Sequence, residues 1–370
     1  MRVLIAPDCF GGTLTAVEAA DAMARGWGRA APADELILRP LADGGPGFVD
    51  VLHVALGGTL HTCQVTSPTG EQVGAQWLEH EGTGYVEAAQ AGGLHLVPPD
   101  RRDPLTATSR GVGELIGAVR DAGLDCAVVG LGGSATTDGG AGALAALGAV
   151  AVDSAGAPVA PGGAALATAA RLDGRAELGR LRLLVAADVT NPLLGRHGAA
   201  EVFAPQKGAQ PAQVRELEAG LTRWADLLEA ATGRAVRELP AAGAAGGLGA
   251  GLLALGAERV SGAQLVSERT GLAAALDRAE LVVTGEGSFD WQSLRGKLVT
   301  SLAEAAAGRG LACIVLAGQV SVGRREAAAA GVEAAYAAAE LAGSVAAALS
   351  DPAGTLEHVA EYAARQWGGQ

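Results

Sequence analysis

The sequence predicts an α/β protein with a buried, mostly parallel sheet and a second α/β domain, with a mixed sheet, inserted into the first. Three observations carry this. Short, wholly apolar runs recur along the chain, each ending in a polar, Gly-rich turn, which is the pattern of parallel strands covered on both faces. One region, from about Leu60 to Glu87, alternates apolar and polar residues around Ser67-Pro68-Thr69-Gly70, as antiparallel strands do. The chain has 370 residues, and single cores stop growing near ~250–300 residues, so about two domains are expected.

The elements follow in order. Val3-Leu4-Ile5-Ala6 is a strand running into Pro7-Asp8, and Thr15-Ala16-Val17-Glu18 is a capping box opening the first helix. His61–Val65, Ala75–Glu79 and Gly84–Glu87 are the strands of the alternating region. Ala127–Leu131 leads into Gly132-Gly133-Ser134, and an Ala/Leu helix begins near Ala143. Leu183–Ala187 leads into Asp188, Leu281–Thr284 into Gly285-Glu286-Gly287, and Ile314–Ala317 into Gly318-Gln319. The Ala-rich stretch Ala327–Leu349, interrupted by Glu333 and Glu340, reads as a helix of a soluble protein and not as a membrane span. Ligands of open α/β sheets bind beyond the carboxyl ends of the strands. Asp8, Asp138, Asp188, Glu286 and Asp290 sit at or near such ends.

Composition removes whole classes of function. Net charge is −13 and the pI about 4.9, against nucleic acid, which needs a basic footprint. A few local cations can still bind an anionic small molecule. Four cysteines, Cys9, Cys63, Cys126 and Cys313, lie far apart without metal or disulfide spacing, which reads as reduced thiols of a cytoplasmic protein. Neither a signal peptide nor a membrane anchor is expected.

Two segments carry chemistry. Gly132-Gly133-Ser134-Ala135-Thr136-Thr137-Asp138-Gly139-Gly140 joins a strand to a helix. Its glycines let backbone amides approach an anion, its hydroxyls can donate, and the helix start adds a dipole. It lacks the Gly-Lys-Ser/Thr of a Walker A loop, and the simpler alternative is a tight turn without ligand. The second signal is lysine. The chain has two, Lys207 and Lys297, against 25 arginines, and both stand beside glycine. A compact charge on a flexible stem suits a moving phosphoryl group; chance placement is the competing explanation.

Taken together the motifs resemble the type I glycerate kinases. The resemblance runs nearly end to end. It rests on Ala6-Pro7-Asp8 with Gly12–Ala16, Ala42-Asp43-Gly44-Gly45, Gly132–Thr136 and Asp138–Gly142. It continues through Asp188–Leu193, Pro205–Ala209, Gly243–Gly247 and Thr284–Gly287 with Asp290, Gln292 and Gly296-Lys297. The resemblance implies two unlike α/β domains, one Rossmann-like and split by the other, with the active site between them. The Rossmann-like domain is expected over 1–60 and 245–370, and the inserted domain over 61–244.

It further implies ATP-dependent phosphorylation of D-glycerate to 2-phosphoglycerate, with Mg²⁺. Asp188 would be the general base or a metal carboxylate, its alternative being an Asx turn or helix cap. Asp43 would be a second metal or substrate ligand, or a plain turn residue. Lys207 would meet the transferring phosphate or the substrate carboxylate. Gly132, Gly133, Ser134 and Thr136 would receive phosphate or substrate. Asp8, Asn191, Glu286, Asp290 and Lys297 complete the expected binding set. The partner is a small molecule, with no nucleic acid and no membrane, and the assembly a monomer or homodimer. The chain departs from the family pattern at Cys9, at Gly11 in place of Lys, at Pro46-Gly47-Phe48 in place of Glu-Gly-Thr, and at Ser288 in place of Arg. Those losses keep two alternatives open: a catalytically weakened relative that binds a hydroxy acid or nucleotide, and a kinase for another small hydroxy acid.

Overall fold

A computed structural model of the chain describes residues 1–295 and 298–368. Its contacts form two compact units: Met1–Ala42 with Asp50–Leu56 and Ala263–Gln370, and Asp43–Val49 with Gly57–Gly262. The chain is expected to return to the first domain at 245, whereas the contacts return it at 263. The reason is that strand Glu258–Val260 pairs with Arg182–Ala186 inside the second unit's sheet.

The first unit holds a five-stranded sheet in the order Ala334–Ala337, Ala312–Ala317, Leu281–Thr284, Arg2–Ile5, Glu35–Leu38. Every pairing is parallel. The order is doubly wound and Rossmann-like, reversing direction between Arg2–Ile5 and Leu281–Thr284. The apolar runs are continuous because both faces are covered. Val3 and Ile5 pack in one cluster with Met23 and Trp27, while Leu4 packs in another with Val299 and Leu302. Helix Ala16–Ala30 opens with the expected capping box: Thr15 Oγ1 accepts from Glu18 N and Glu18 Oε2 accepts from Thr15 N. It lies so close to helix Pro352–Trp367 that a Cβ on Gly26 would fall 2.0 Å from the Glu357 carbonyl oxygen.

The Ala-rich stretch is not one helix. It forms the end of helix Arg324–Ala329, edge strand Ala334–Ala337, and helices Ala338–Leu341 and Val345–Ser350. Gly331 and Gly343 adopt φ of +81° and +83° and break it. Pairing with Ala312–Ala317 then overrides the helix propensity of alanine. Among the described residues no helix is long and apolar enough to cross a membrane.

The second unit holds a six-stranded mixed sheet in the order Glu258–Val260, Arg182–Ala186, Cys126–Gly130, Thr83–Glu87, Gln72–His80, Thr59–Thr66. The first four are mutually parallel and the last two antiparallel, as the alternating pattern requires. Helices Arg110–Asp121 and Pro211–Thr232 feed its large core, with Leu115, Ile116, Leu221 and Trp224 fully buried.

Candidate active site

Four parallel strands of the second unit end side by side, and their ends carry most of the expected residues. Gly130 is followed by Gly132–Ser134, Ala186 by Asp188, and Val260 by Ser261 and Gly262. The Asp43 loop is seated on the same ends. Gly132 N donates to the Gly44 carbonyl at 3.0 Å. A Cβ on Gly44 would lie 2.8 Å from the Ala186 carbonyl oxygen, and one on Gly262 would lie 2.0 Å from that of Asp43. Glycine is required at both positions because backbone meets backbone.

Asp188 is exposed, and its Oδ1 accepts a hydrogen bond from Ser261 Oγ at 2.6 Å. The parallel pairing of Val260 with Ala186 brings Ser261, the next residue of one strand, beside the Ala187-Asp188 end of the other. Asp43 is also exposed, and its Oδ1 accepts from Gly45 N at 2.9 Å in an Asx turn. Asn191 does different work: its Nδ2 donates to the His197 carbonyl, and its own carbonyl accepts from Gly243 N, fixing the turn after Asp188.

Lys207 is buried, at 2% exposure. Its Nζ donates to Ser134 Oγ at 3.0 Å and to the Thr136 carbonyl at 2.5 Å. Burial lowers its pKa from 10.5 to about 7, and the charge of Asp138 opposes that shift. Thr136 is buried as well, so its contribution here is the carbonyl. Gly133, at φ +72°, stands against the ring of Pro46, 2.8 Å from where its Cβ would be.

The helix start is filled by a side chain of the loop itself. Helix Ala141–Ala146 is only six residues long, and Asp138 occupies its first amides. The buried Asp138 carboxylate accepts from Gly140 N, Gly142 N, Ser109 N and Ser109 Oγ. Burial raises its pKa, and these donors oppose the rise. Asp138 is therefore a clamp on the loop.

The remaining expected residues belong to the first unit. Asp8 and Glu286 follow the two strands at the reversal point of the sheet, and Asp8 N donates to the Gly285 carbonyl at 2.8 Å. Asp8 Oδ1 accepts from Cys9 N, and Glu286 is buried. Asp290 caps a turn, its Oδ1 accepting from Gln292 N and its own amide donating to Ser293 Oγ. Gly11 and Ser288, two departures from the family pattern, both line one largely apolar cavity of about 310 Å³ in this unit. Lys297 lies outside the described residues.

Two residues were missed from sequence. Ser261 gives no local signal. Glu87 does, as a carboxylate closing an otherwise apolar strand. It is buried and its Oε2 accepts from Gly47 N at 3.0 Å, holding the Asp43 loop from behind.

The family model described as the glycerate kinase family matches residues 3–368. The chain belongs to the glycerate kinase family. It is 42% identical over 312 residues to the glycerate 2-kinase of Escherichia coli strain K12, covering 83% of this chain and 82% of that one. An uncharacterised protein of Mycobacterium bovis is 48% identical over 372 residues, covering 100% of this chain and 92% of the relative. The crystal structure of a Salmonella typhimurium LT2 protein assigned as glycerate kinase 2 superposes with a TM-score of 0.79 at 38% identity, covering 99% and 98% of the two chains. As a glycerate kinase, the protein is an enzyme.

A glycerate kinase needs an oxygen base, donors for phosphoryl oxygens and, in most phosphoryl transfer, a divalent ion. Among the described residues no group of three or more His, Cys, Asp or Glu side chains could hold a metal. Two exposed carboxylates on adjoining loops, Asp43 and Asp188, nevertheless suit Mg²⁺, which is commonly held by one or two carboxylates with phosphates and water.

Proposed function

We propose that the protein transfers the γ-phosphoryl group of ATP to the 2-hydroxyl of D-glycerate, giving 2-phosphoglycerate and ADP. The observation that carries this reading is the convergence of Asp43, Gly132–Ser134, Asp188 and Lys207 at one set of strand ends. The E. coli relative's name, glycerate 2-kinase, supports the choice of hydroxyl.

In this reading Asp188 receives the hydroxyl proton as the new O–P bond forms and the bond to ADP breaks. Ser261, donating to Oδ1, sets the carboxylate's orientation. The backbone amide of Gly133, the Ser134 hydroxyl and the Lys207 ammonium face the charge of the phosphoryl oxygens. Lys207 has three donors; two are placed on Ser134 and Thr136, which fixes the direction of the third. Asp43 and Asp188 would hold Mg²⁺, whose bound charge neutralises phosphate oxygens.

The test is ADP release by the purified protein with Mg²⁺-ATP and D-glycerate, beside L-glycerate, tartronate and no acceptor. Turnover selective for D-glycerate is expected. Equal ADP release with and without acceptor would rule the reading out.

A further inference from the structure

A small cavity of about 140 Å³ adjoins Lys207. Its wall includes Ala135, Val97, Arg101, Arg102 and Asp103 as well as Lys207. We propose that this cavity is the anion subsite for the carboxylate of the three-carbon hydroxy acid, with Arg102 as its specificity-determining residue.

The first argument is charge. The chain carries a net −13, yet this cavity gathers three basic side chains around one acidic one. The acidic one is committed elsewhere, since Asp103 Oδ1 accepts from Leu105 N and Oδ2 from Thr106 Oγ1. Arg101 is exposed and paired with Glu71 at 2.9 Å. Arg102 is half-buried, and among the described residues it makes no salt bridge; its Nε reaches only the Val97 carbonyl, at 3.5 Å.

The second argument is placement. Arg102 packs on the Lys207–Gly208 turn, where Gly208 takes φ +102° and a Cβ on it would lie 3.6 Å from Arg102 Cβ. Two like charges, one of them buried, therefore share one small cavity. Like charges in low dielectric repel, and an anion between them converts repulsion to attraction. A planar carboxylate matches the forked donors of a guanidinium. Burial lowers the pKa of Lys207, and an anion beside it would oppose that shift.

The third argument is size and connection. A cavity of about 140 Å³ admits an acid of a few carbons or a single phosphate and excludes a nucleotide. Lys207 reaches the cavity and also donates to Ser134 of the glycine loop. A carboxylate held here would be tied through one side chain to the loop that receives the phosphoryl group.

This inference rests on the reading of the protein as a D-glycerate kinase, and the experiment separates the two. Arg102→Gln and Arg102→Lys are compared with wild type for the KM of D-glycerate and of ATP, with calorimetric titration of D-glycerate, tartronate and inorganic phosphate. Arg102→Gln is expected to raise the KM of D-glycerate at least tenfold with the KM of ATP within twofold, and Arg102→Lys to recover part of it. Tartronate, but not glycerol, should displace D-glycerate from the wild-type protein, a result that needs no variant. Phosphate binding tighter than any carboxylate, and weakened by Arg102→Gln, would overturn the carboxylate assignment. Turnover in Arg102→Gln with an unchanged KM for D-glycerate would overturn the subsite alone. Carboxylate binding lost in Arg102→Gln without turnover in wild type would uphold the subsite and remove the kinase reading.

Discussion

The Lys207 ammonium lies 2.5 Å from the carbonyl oxygen of Thr136, so one buried cation holds the glycine loop to the turn Pro205–Lys207. This single contact joins two motifs that stand 71 residues apart in the sequence. It also sets up opposite demands, because the charge that would serve catalysis is costly to bury.

That cost gives a stability prediction. The folded pKa of Lys207 is about 7, below its ordinary 10.5, so between those values the unfolded chain binds more protons at this site. The lysine's contribution to stability is therefore least favourable below pH 7 and improves as pH rises toward 10. Relative to wild type, Lys207→Met should melt highest at pH 6 and lose more than half of that advantage by pH 9. A difference in melting temperature independent of pH would contradict the burial account.

The same pKa gives a rate prediction. If the charged form faces phosphoryl oxygens, kcat/KM should fall as pH rises through about 7, since kcat/KM reports groups of the free enzyme. Lys207→Met should lose ~10²–10³ in kcat, the scale of one lost oxyanion donor. Full activity of this variant would remove Lys207 from the chemistry.

Ser261 is a positioning residue for Asp188. Removing its hydroxyl in Ser261→Ala should lower kcat about tenfold, matching one hydrogen bond to a charged group of roughly 1.5 kcal/mol. The melting temperature should stay within ~2 °C, because a partly exposed serine contributes little packing. Ser261→Thr keeps the donor and should keep most of the rate. Equal rates for Ala and wild type would show that Asp188 is oriented without it.

Gly133→Ala tests the loop. The new methyl meets the Pro46 ring at 2.8 Å and sits at φ +72°, two penalties together of ~1–3 kcal/mol. Loss of turnover is expected, with partial return in the Gly133→Ala/Pro46→Gly double variant, which relieves the contact. No coupling between the two substitutions, measured as a double-mutant cycle in kcat/KM, would contradict the packing.

Much of this was legible in the sequence. The strands Leu281–Thr284 and Ala312–Ala317 and the three of the alternating region stand where hydrophobic pattern put them, because pattern and burial agree there. The Ala334–Ala337 edge strand was not legible, since in Ala-Ala-Tyr-Ala only Tyr336 favours a strand and the alanines need a neighbour to pair with. Asp43, Ser134, Asp188 and Lys207, which the motifs single out, stand at or beside one set of strand ends. Ser261 and Arg102 were not legible, because each acts through a register or a cavity wall that exists only after folding. The carboxylate that fills the helix start, Asp138, lies within the motif itself, but its contacts with those amides exist only in the folded loop.

The central claim is phosphoryl transfer to one hydroxyl of D-glycerate, and phosphorus NMR of the product tests it most directly. The purified protein with Mg²⁺-ATP and D-glycerate should give ADP and the resonance of 2-phosphoglycerate, and Asp188→Asn should abolish both. A product phosphorylated at the other hydroxyl, or turnover that survives Asp188→Asn unchanged, would contradict the account.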